Sequence, residues 1–450
     1  MIKKVIRNPW LIFSPFLLFY SHAIKINKWP VLYGDEIRYV EFAHHLIHGF
    51  YSPSAPNINL WNGPGYPIIL WPFIAYKVPV LYITLLNALF LYLAVVFLYK
   101  TLSLITNYTL ATICCLLLAI YPNYLAILPI LYTEAFTCLL MSIFIYTLGF
   151  SYVKGNNKYN VLAGLIFGYL ILTKIIFGYV VCICLLICLA GLLFNRNKPA
   201  YQKPVLILLT AFMISTPYLG YTWWLTGKPF YWSNAGGMSL YWMSTPFENE
   251  FGDWKTPDLK NNQYPSLFQS AEAVSILRKN HAKEINFILK HNEMKQDELF
   301  KQIAIKNIKA HPLKFISNYG NNFSRMLFNF PYSYAYQDGN TLRNIVTGSL
   351  ILWVSVVGIV LTWINRRKII FPVKLVLLIT AVYLLLSGAL SAYPRQLDIM
   401  MPVLLFWIAY LIANIKKPGL KFAETENLDY VLAGLAGDRA YAGDVKKDRQ

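Results

Sequence analysis

Residues 33–50 read YGDEIRYVEFAHHLIHGF, and the rest of the chain is organised around this stretch. It carries an adjacent carboxylate pair, Asp35 and Glu36, at the head of an amphipathic helical pattern. An apolar segment near residues 10–24 precedes it, and a basic cluster at 3–7 precedes that segment. Because positive residues mark the cytoplasmic side of a membrane span, the pattern puts the two carboxylates just outside the membrane.

Apolar runs of spanning length recur along the whole chain. Its 450 residues are 57% hydrophobic and 14% charged. Backbone polar groups need partners in hydrocarbon, and the runs lack the alternation of a barrel strand, so they must be helices. The sequence therefore predicts an all-α polytopic membrane protein with about ten transmembrane helices. The net charge of +19 lies largely in short clusters beside these runs, which indicates topology signals and contacts with membrane lipids, and no nucleic acid.

The expected spans lie near 10–24, 79–99, 107–121, 131–152, 160–173, 176–194, 204–223, 346–364, 371–390 and 398–415. With this count, the basic clusters at 3–7, 154–158, 196–203, 366–368 and 416–417 all fall in the cytoplasm.

The same spans divide the chain into four parts. Residues 1–223 form a transmembrane module whose first outer loop, 25–78, carries the acidic pair. Residues 224–345 form an extracytoplasmic helical loop domain, with a helical pattern at 297–309 and a membrane-surface helix at 313–328. Residues 346–417 hold the last transmembrane helices, and 418–450 form a cytoplasmic tail.

Charged residues from distant parts of the chain share the outer face. Asp35 could take a proton from a hydroxyl group, and Arg395 could meet a phosphate. Glu134 lies near the membrane, where a carboxylate is costly without a partner or a wet cavity, and Lys174 is a second possible phosphate partner. The alternatives are helix capping by the acidic pair, a hydrogen bond between helix ends for Glu134, and extension of Lys174 to the interface.

Three histidines fall at helical spacing after the acidic pair. His44 and His48 are separated by four residues, as are Glu41 and His45, and such pairs can bind a metal. The HExxH order of helix-borne zinc sites is absent, so a wet amphipathic face is the alternative to a divalent metal site at His44 and His48. No other cofactor is indicated.

A set of short motifs resembles one family. The first outer loop has Asp35, Glu36, Tyr39, Ala43 and Leu46, followed by Pro64-Gly65-Tyr66-Pro67; later come Thr133-Glu134, and Arg395 with Pro402. In this order they resemble polytopic glycosyltransferases of the GT-C type, in particular the bacterial members related to dolichyl-phosphate-mannose protein mannosyltransferases and the lipid A aminoarabinose transferase. The late motif departs from the family pattern, because Gln396 replaces an aromatic residue and Ile399 a proline.

The resemblance implies a GT-C-like fold and an inverting transfer of sugar from a polyprenyl-phosphate donor, on the outer face of a bacterial inner membrane. It implies that Asp35 is the base and that Glu36 orients it or binds metal. Arg395 would meet the lipid phosphate, Glu134 would shape the cavity, and Tyr39 and Lys174 would contact substrate. The acceptor, whether lipid, glycan or protein, stays open.

Two other classes compete with a glycosyltransferase. A transporter or flippase would place charged groups at the midplane, in helices broken at matching positions of two repeats. Here the carboxylates lie in a loop, and one large outer insertion breaks any symmetry. A non-catalytic assembly protein would make Asp35 and Glu36 dispensable.

Overall fold

A computed structural model describes residues 8–195, 198–256, 271–334 and 339–415. The predicted tail at 418–450 and the basic positions 3–7 and 416–417 lie outside these ranges, as does Arg196. Within them every regular element is a helix, so the predicted all-α fold class is confirmed.

In chain order the helices are α1 Pro9–Ile12, α2 Ser14–Asn27, α3 Asp35–Ile47, α4 Gly65–Ala75, α5 Val80–Ser103, α6 Tyr108–Ala119, α7 Pro122–Ile127, α8 Glu134–Lys154, α9 Asn157–Thr173, α10 Ile176–Phe194, α11 Pro199–Thr226, α12 Gly236–Met243, α13 Ala271–Ile288, α14 Glu293–Ala310, α15 Pro312–Phe328, α16 Gly339–Ile364, α17 Phe371–Gly388, α18 Pro394–Asp398 and α19 Met401–Ile415.

Seven helical segments in the described residues are long and apolar enough to cross a membrane. They are α5, α6 joined with α7, α8, α10, α11, α16 from Leu342 onward, and α17. The remaining three expected spans correspond to shorter helices: α2 has 14 residues, α9 has 17 and α19 has 15. The predicted span at 398–415 is corrected at its start, because Asp398 ends the separate helix α18 and α19 begins at Met401.

Close helix packing joins α9 to α11. A Cβ atom at Gly164 would lie 2.5 Å from Thr210 of α11, and one at Gly168 would lie 2.6 Å from Ile214. Such small residues let two helix backbones approach closely in a membrane. The chain then breaks after Thr173, as the sequence predicts, so that Lys174 lies between α9 and α10.

The helices between α11 and α15 have a core of their own. Buried side chains from α12, α13 and α14 form it: Met238, Tyr241, Trp242, Leu277, Ile285, Ile288, Phe300 and Ala304. Helices α14 and α15 occupy the positions where the sequence predicts helical patterns.

Helix α15 buries several polar side chains, and apolar side chains near its start are exposed. Leu313 is 80% exposed and Ile316 is 64% exposed, as expected of a membrane-surface helix. On the opposite side Asn322 donates to the carbonyl of Gly388 at 2.9 Å, and Arg325 Nε donates to the carbonyl of Ala392 at 2.9 Å. These bonds satisfy buried backbone acceptors at the end of α17 and in the loop before α18, and they thereby fix the segment that leads to Arg395.

Candidate active site

Asp35 opens helix α3 and is held by two arginines. Gly34 before it has a φ of 60°, a left-handed conformation that favours glycine at this turn. One carboxylate oxygen, Oδ2, accepts a hydrogen bond from Arg395 Nη1 at 2.8 Å. The other, Oδ1, accepts from Arg38 one turn later on the same helix. The structure thus brings together Asp35 and Arg395, which lie 360 positions apart.

Arg38 is a site residue that the sequence reasoning missed. Its Nε donates to Asn62 Oδ1 at 3.2 Å, and its guanidinium lies 5.0 Å from the centroid of the Trp61 ring. Asn62 in turn donates to the hydroxyl of Tyr39 at 3.3 Å. The spacing of three from Asp35 on a helical pattern was the signal available for Arg38.

Arg395 is supplied by the short helix α18. Pro394 stands in the first turn, and Gln396 accepts a hydrogen bond from the Tyr393 backbone N–H at 2.8 Å. Gln396, the departure from the family pattern, therefore caps the helix that carries the arginine. The guanidinium of Arg395 lies 5.6 Å from the centroid of the Tyr132 ring, which adds a cation–π contact.

Glu36 points away from Asp35 and into the protein. It is 2% exposed, and its carboxylate accepts hydrogen bonds from Lys28 Nζ, from the backbone N–H of Leu131 at 2.7 Å and from the backbone N–H of Tyr33 at 2.9 Å. These contacts join the start of α3 to the segment before α8. The geometry therefore favours a positioning role for Glu36 over a place among the reacting groups.

Glu134 and Lys174 form an ion pair beneath the arginines. Lys174 Nζ donates to Glu134 Oε1 at 3.0 Å, and the Glu134 side chain is 1% exposed. The other carboxylate oxygen of Glu134 is buried and has no hydrogen-bond partner among the described residues. Lys174 thus contacts a carboxylate of helix α8.

Asp398 is a second residue that the sequence reasoning did not single out. It is 2% exposed, and its Oδ1 accepts hydrogen bonds from Tyr121 OH at 2.8 Å and from Asn123 Nδ2 at 3.0 Å. Burial raises the pKa of its carboxyl to about 7. The signal in the sequence was an acidic residue three positions after Arg395, on the same face of a short helix.

An open cavity of about 600 Å³ lies over these groups. Its charged lining consists of Asp35, Arg38, Arg395 and Asp398, and its aromatic lining includes Trp61, Tyr132, Trp254 and Tyr393. Tyr39, Glu36, Glu134 and Lys174 are not in contact with it. The predicted site residues therefore separate into a pair at the cavity surface and a supporting set behind it.

The charges around Asp35 keep it ionised. Burial alone would raise the pKa of its carboxyl, but the positive charges of Arg395 and Arg38 outweigh burial and lower the pKa to about 2. Lys174 contributes in the same direction.

The predicted metal pair lies outside the cavity. His44 and His48 are exposed on α3, and His45 contacts the Tyr51 carbonyl at 3.1 Å and lies 4.0 Å from Glu41. Among the described residues no group of three or more His, Cys, Asp or Glu side chains is arranged to hold a metal ion. The two histidines have no third ligand there, and the structure gives the metal site no support.

One comparison with known proteins matches part of the chain to a family model. Residues 63–221 match the family model for dolichyl-phosphate-mannose-protein mannosyltransferase. The match confirms the resemblance to GT-C-type glycosyltransferases and, with the multi-pass helical fold, supports a membrane glycosyltransferase of this type. It includes Glu134 and Lys174, whereas Asp35, Arg38 and Arg395 lie outside it.

Two solved structures are similar in outline. The archaeal oligosaccharyltransferase AglB from Archaeoglobus fulgidus, in complex with an inhibitory peptide and a dolichol-phosphate, is 14% identical with a TM-score of 0.45, covering 95% of this chain and 52% of that one. The Archaeoglobus fulgidus oligosaccharyltransferase tethered to an acceptor peptide is 15% identical with a TM-score of 0.46, covering 94% and 51%. This chain spans about half the length of both. No curated protein sequence matches it.

Proposed function

We propose that the chain is an integral membrane glycosyltransferase that moves a sugar from a polyprenyl-phosphate donor to a lipid, glycan or protein acceptor. The observation that carries the proposal is the contact between Asp35 and Arg395 at the surface of an open cavity. This transfer needs a base that accepts the proton of a hydroxyl group and a cation that binds a phosphate group. The cavity belongs on the outer face of a bacterial inner membrane, in keeping with the basic clusters on the opposite side of the spans.

The chemistry assigns one task to Asp35 and another to the two arginines. The acceptor oxygen attacks the anomeric carbon from the face opposite the phosphate, and its proton passes to Asp35. The bond between the anomeric carbon and the phosphate oxygen breaks, and its electron pair stays on that oxygen. The donor phosphate changes from a singly charged diester to a monoester with a second negative charge. Arg395 and Arg38 stabilise this added charge, and the sugar configuration is inverted.

Neighbouring groups hold the charged side chains in place. Glu36, behind the cavity, joins the start of α3 to Leu131, and Asn62, which lines the cavity, orients Arg38. The Glu134–Lys174 pair places one charge of each sign beneath the cavity without contacting it. These are positioning residues, in contrast to Asp35 and Arg395, which touch the reacting groups.

The test is sugar transfer by the purified, full-length protein in membrane extract, supplied with a mixture of radiolabelled polyprenyl-phosphate sugars. We expect the wild type to transfer label and Asp35→Asn to lose at least about a hundredfold of the rate, the usual contribution of a general base. Arg395→Gln should lose a comparable factor, because a donor to the developing charge is removed.

Glu41→Gln is the matched control, since Glu41 lies on the same helix with its side chain 51% exposed. Its transfer rate should equal that of the wild type. Equal rates for wild type and a folded Asp35→Asn protein would remove Asp35 as the base. Movement of the donor across vesicle membranes without sugar transfer would indicate a transporter and not an enzyme.

A further inference from the structure

The two arginines at the cavity surface already hold an anion, and that anion belongs to the chain itself. Arg38 and Arg395 come from helices α3 and α18, and each donates to a different oxygen of Asp35. Two guanidinium groups therefore converge on one carboxylate. The cluster of these three side chains carries one net positive charge and faces the open cavity.

A guanidinium binds carboxylate and phosphate in the same way. Both anions offer pairs of oxygens that match its planar array of donors. Arg395 uses Nη1 for Asp35, and its side chain is 37% exposed, while that of Asp35 is 15% exposed. The arginine is thus accessible from the cavity, and its guanidinium can exchange one oxyanion for another while helix α18 stays in place.

The remaining charges near the cluster come from Lys174, Glu134 and Asp398. Lys174 acts on Asp35 as a third positive charge, and its ion-pair partner Glu134 acts on Arg395 as a negative one. Asp398 is the other carboxyl group lining the cavity, and its hydrogen bonds come from Tyr121 and Asn123.

We propose that Asp35 occupies the phosphate-binding position of the cavity in the resting protein and is displaced from Arg395 when a lipid phosphate binds. This inference rests on the proposed function, because it takes the ligand to be the phosphate of a polyprenyl donor or product. It adds an order to the reaction: the donor binds first, and its phosphate releases the base from one of its two arginines.

Release changes the chemistry of Asp35. Held by both arginines, its carboxylate is a poor proton acceptor, in keeping with a pKa of about 2. A phosphate that takes over Arg395 removes one neutralising contact and adds a negative charge nearby, and both changes raise the proton affinity of Asp35. The base therefore becomes effective when the donor is in place.

The test is equilibrium binding of farnesyl phosphate to the full-length protein in detergent micelles, followed by intrinsic tryptophan fluorescence, with farnesol as the uncharged probe. If Asp35 competes with phosphate, Asp35→Asn should bind farnesyl phosphate roughly three- to tenfold more tightly than the wild type. Arg395→Gln should bind it at least about fivefold more weakly. Neither change should alter the affinity for farnesol.

Asp35→Ser provides a second variant without the carboxylate, so that a folded protein is available if the asparagine variant fails to fold. Glu41→Gln controls for loss of any negative charge on α3 and should leave the affinity unchanged. Unchanged or weaker phosphate binding in a folded Asp35 variant would overturn the proposal.

The transfer assay separates this inference from the proposed function. Tighter phosphate binding by Asp35→Asn, with no sugar transfer by the wild type, would support competition between Asp35 and phosphate for Arg395 and would rule out the proposed transferase function. Sugar transfer by the wild type, with no gain in phosphate affinity in Asp35→Asn, would support the transferase function and rule out the competition.

Discussion

Replacing Glu36 by glutamine tests whether this carboxylate anchors the site or takes part in the reaction. The native side chain is 2% exposed and accepts three hydrogen bonds, from Lys28, Leu131 and Tyr33. A glutamine oxygen at the Oε1 position could still serve Lys28 and Leu131, but its amide group would then face the N–H of Tyr33. The amide N–H of the glutamine and the backbone N–H of Tyr33 would then face each other with no acceptor between them.

The expected cost follows from these contacts. Leaving the Tyr33 N–H without an acceptor costs about 1–3 kcal/mol. Lys28, whose side chain is 7% exposed, also loses its counter-charge, and removing one member of a buried ion pair costs about 3–5 kcal/mol in total. We therefore expect Glu36→Gln to lower the free energy of unfolding by about 3–5 kcal/mol.

The measurement is unfolding of the purified protein in mixed micelles with increasing sodium dodecyl sulfate. Glu41→Gln on the same helix should change the unfolding free energy by less than about 0.5 kcal/mol. The double variant Lys28→Met with Glu36→Gln should regain part of the loss, because no buried charge is left without a partner. A Glu36→Gln protein that is as stable as the wild type but inactive in transfer would refute the anchoring role.

Three further predictions concern the cavity and its support. The pH dependence of kcat/KM, which reports on the free enzyme, should show no loss from protonation of Asp35 between about pH 8 and pH 5, because the lowered pKa of Asp35 in the resting protein keeps the carboxylate ionised until the pH falls toward 2; a loss centred in that range that shifts in Asp35→Glu would contradict this. Lys174→Met should destabilise the protein by about 3–5 kcal/mol in the same unfolding assay, since Glu134 keeps a buried charge without its partner, and a Lys174→Met protein of unchanged stability would show that the pair contributes nothing. Gly63→Ala should cost about 1–3 kcal/mol and lower transfer, because its Cβ would lie 2.0 Å from the carbonyl oxygen of Leu172; wild-type stability and activity would exclude that close approach.

Seven of the expected spans coincide with helices long and apolar enough to cross a membrane, because apolar length is a one-dimensional signal. The basic clusters led us to expect Asp35 and Arg395 on one side of the membrane, but their direct contact could not be predicted from the sequence. The helices at 293–310 and 312–328 followed from their periodicity in the same way.

The partners within the site could not be predicted in the same way, because they depend on which helices are neighbours. The ion pair of Glu134 with Lys174 requires that α8 and the α9–α10 break lie side by side. Glu36 and Asp35 are adjacent in sequence, yet one turns into the protein and the other toward the cavity, since successive helical residues point about 100° apart. The inward polar face of α15 likewise depends on the backbone carbonyls that it meets.

The distance along the chain between Asp35 and Arg395 sets the moment at which the site can form during biosynthesis. Asp35 is synthesised with the first helices, and Arg395 follows 360 positions later. Until the segment after α17 has been made and folded against α15, Asp35 has Arg38 as its partner and the second guanidinium is missing. Most of the bundle is therefore synthesised before the cavity acquires both of its arginines.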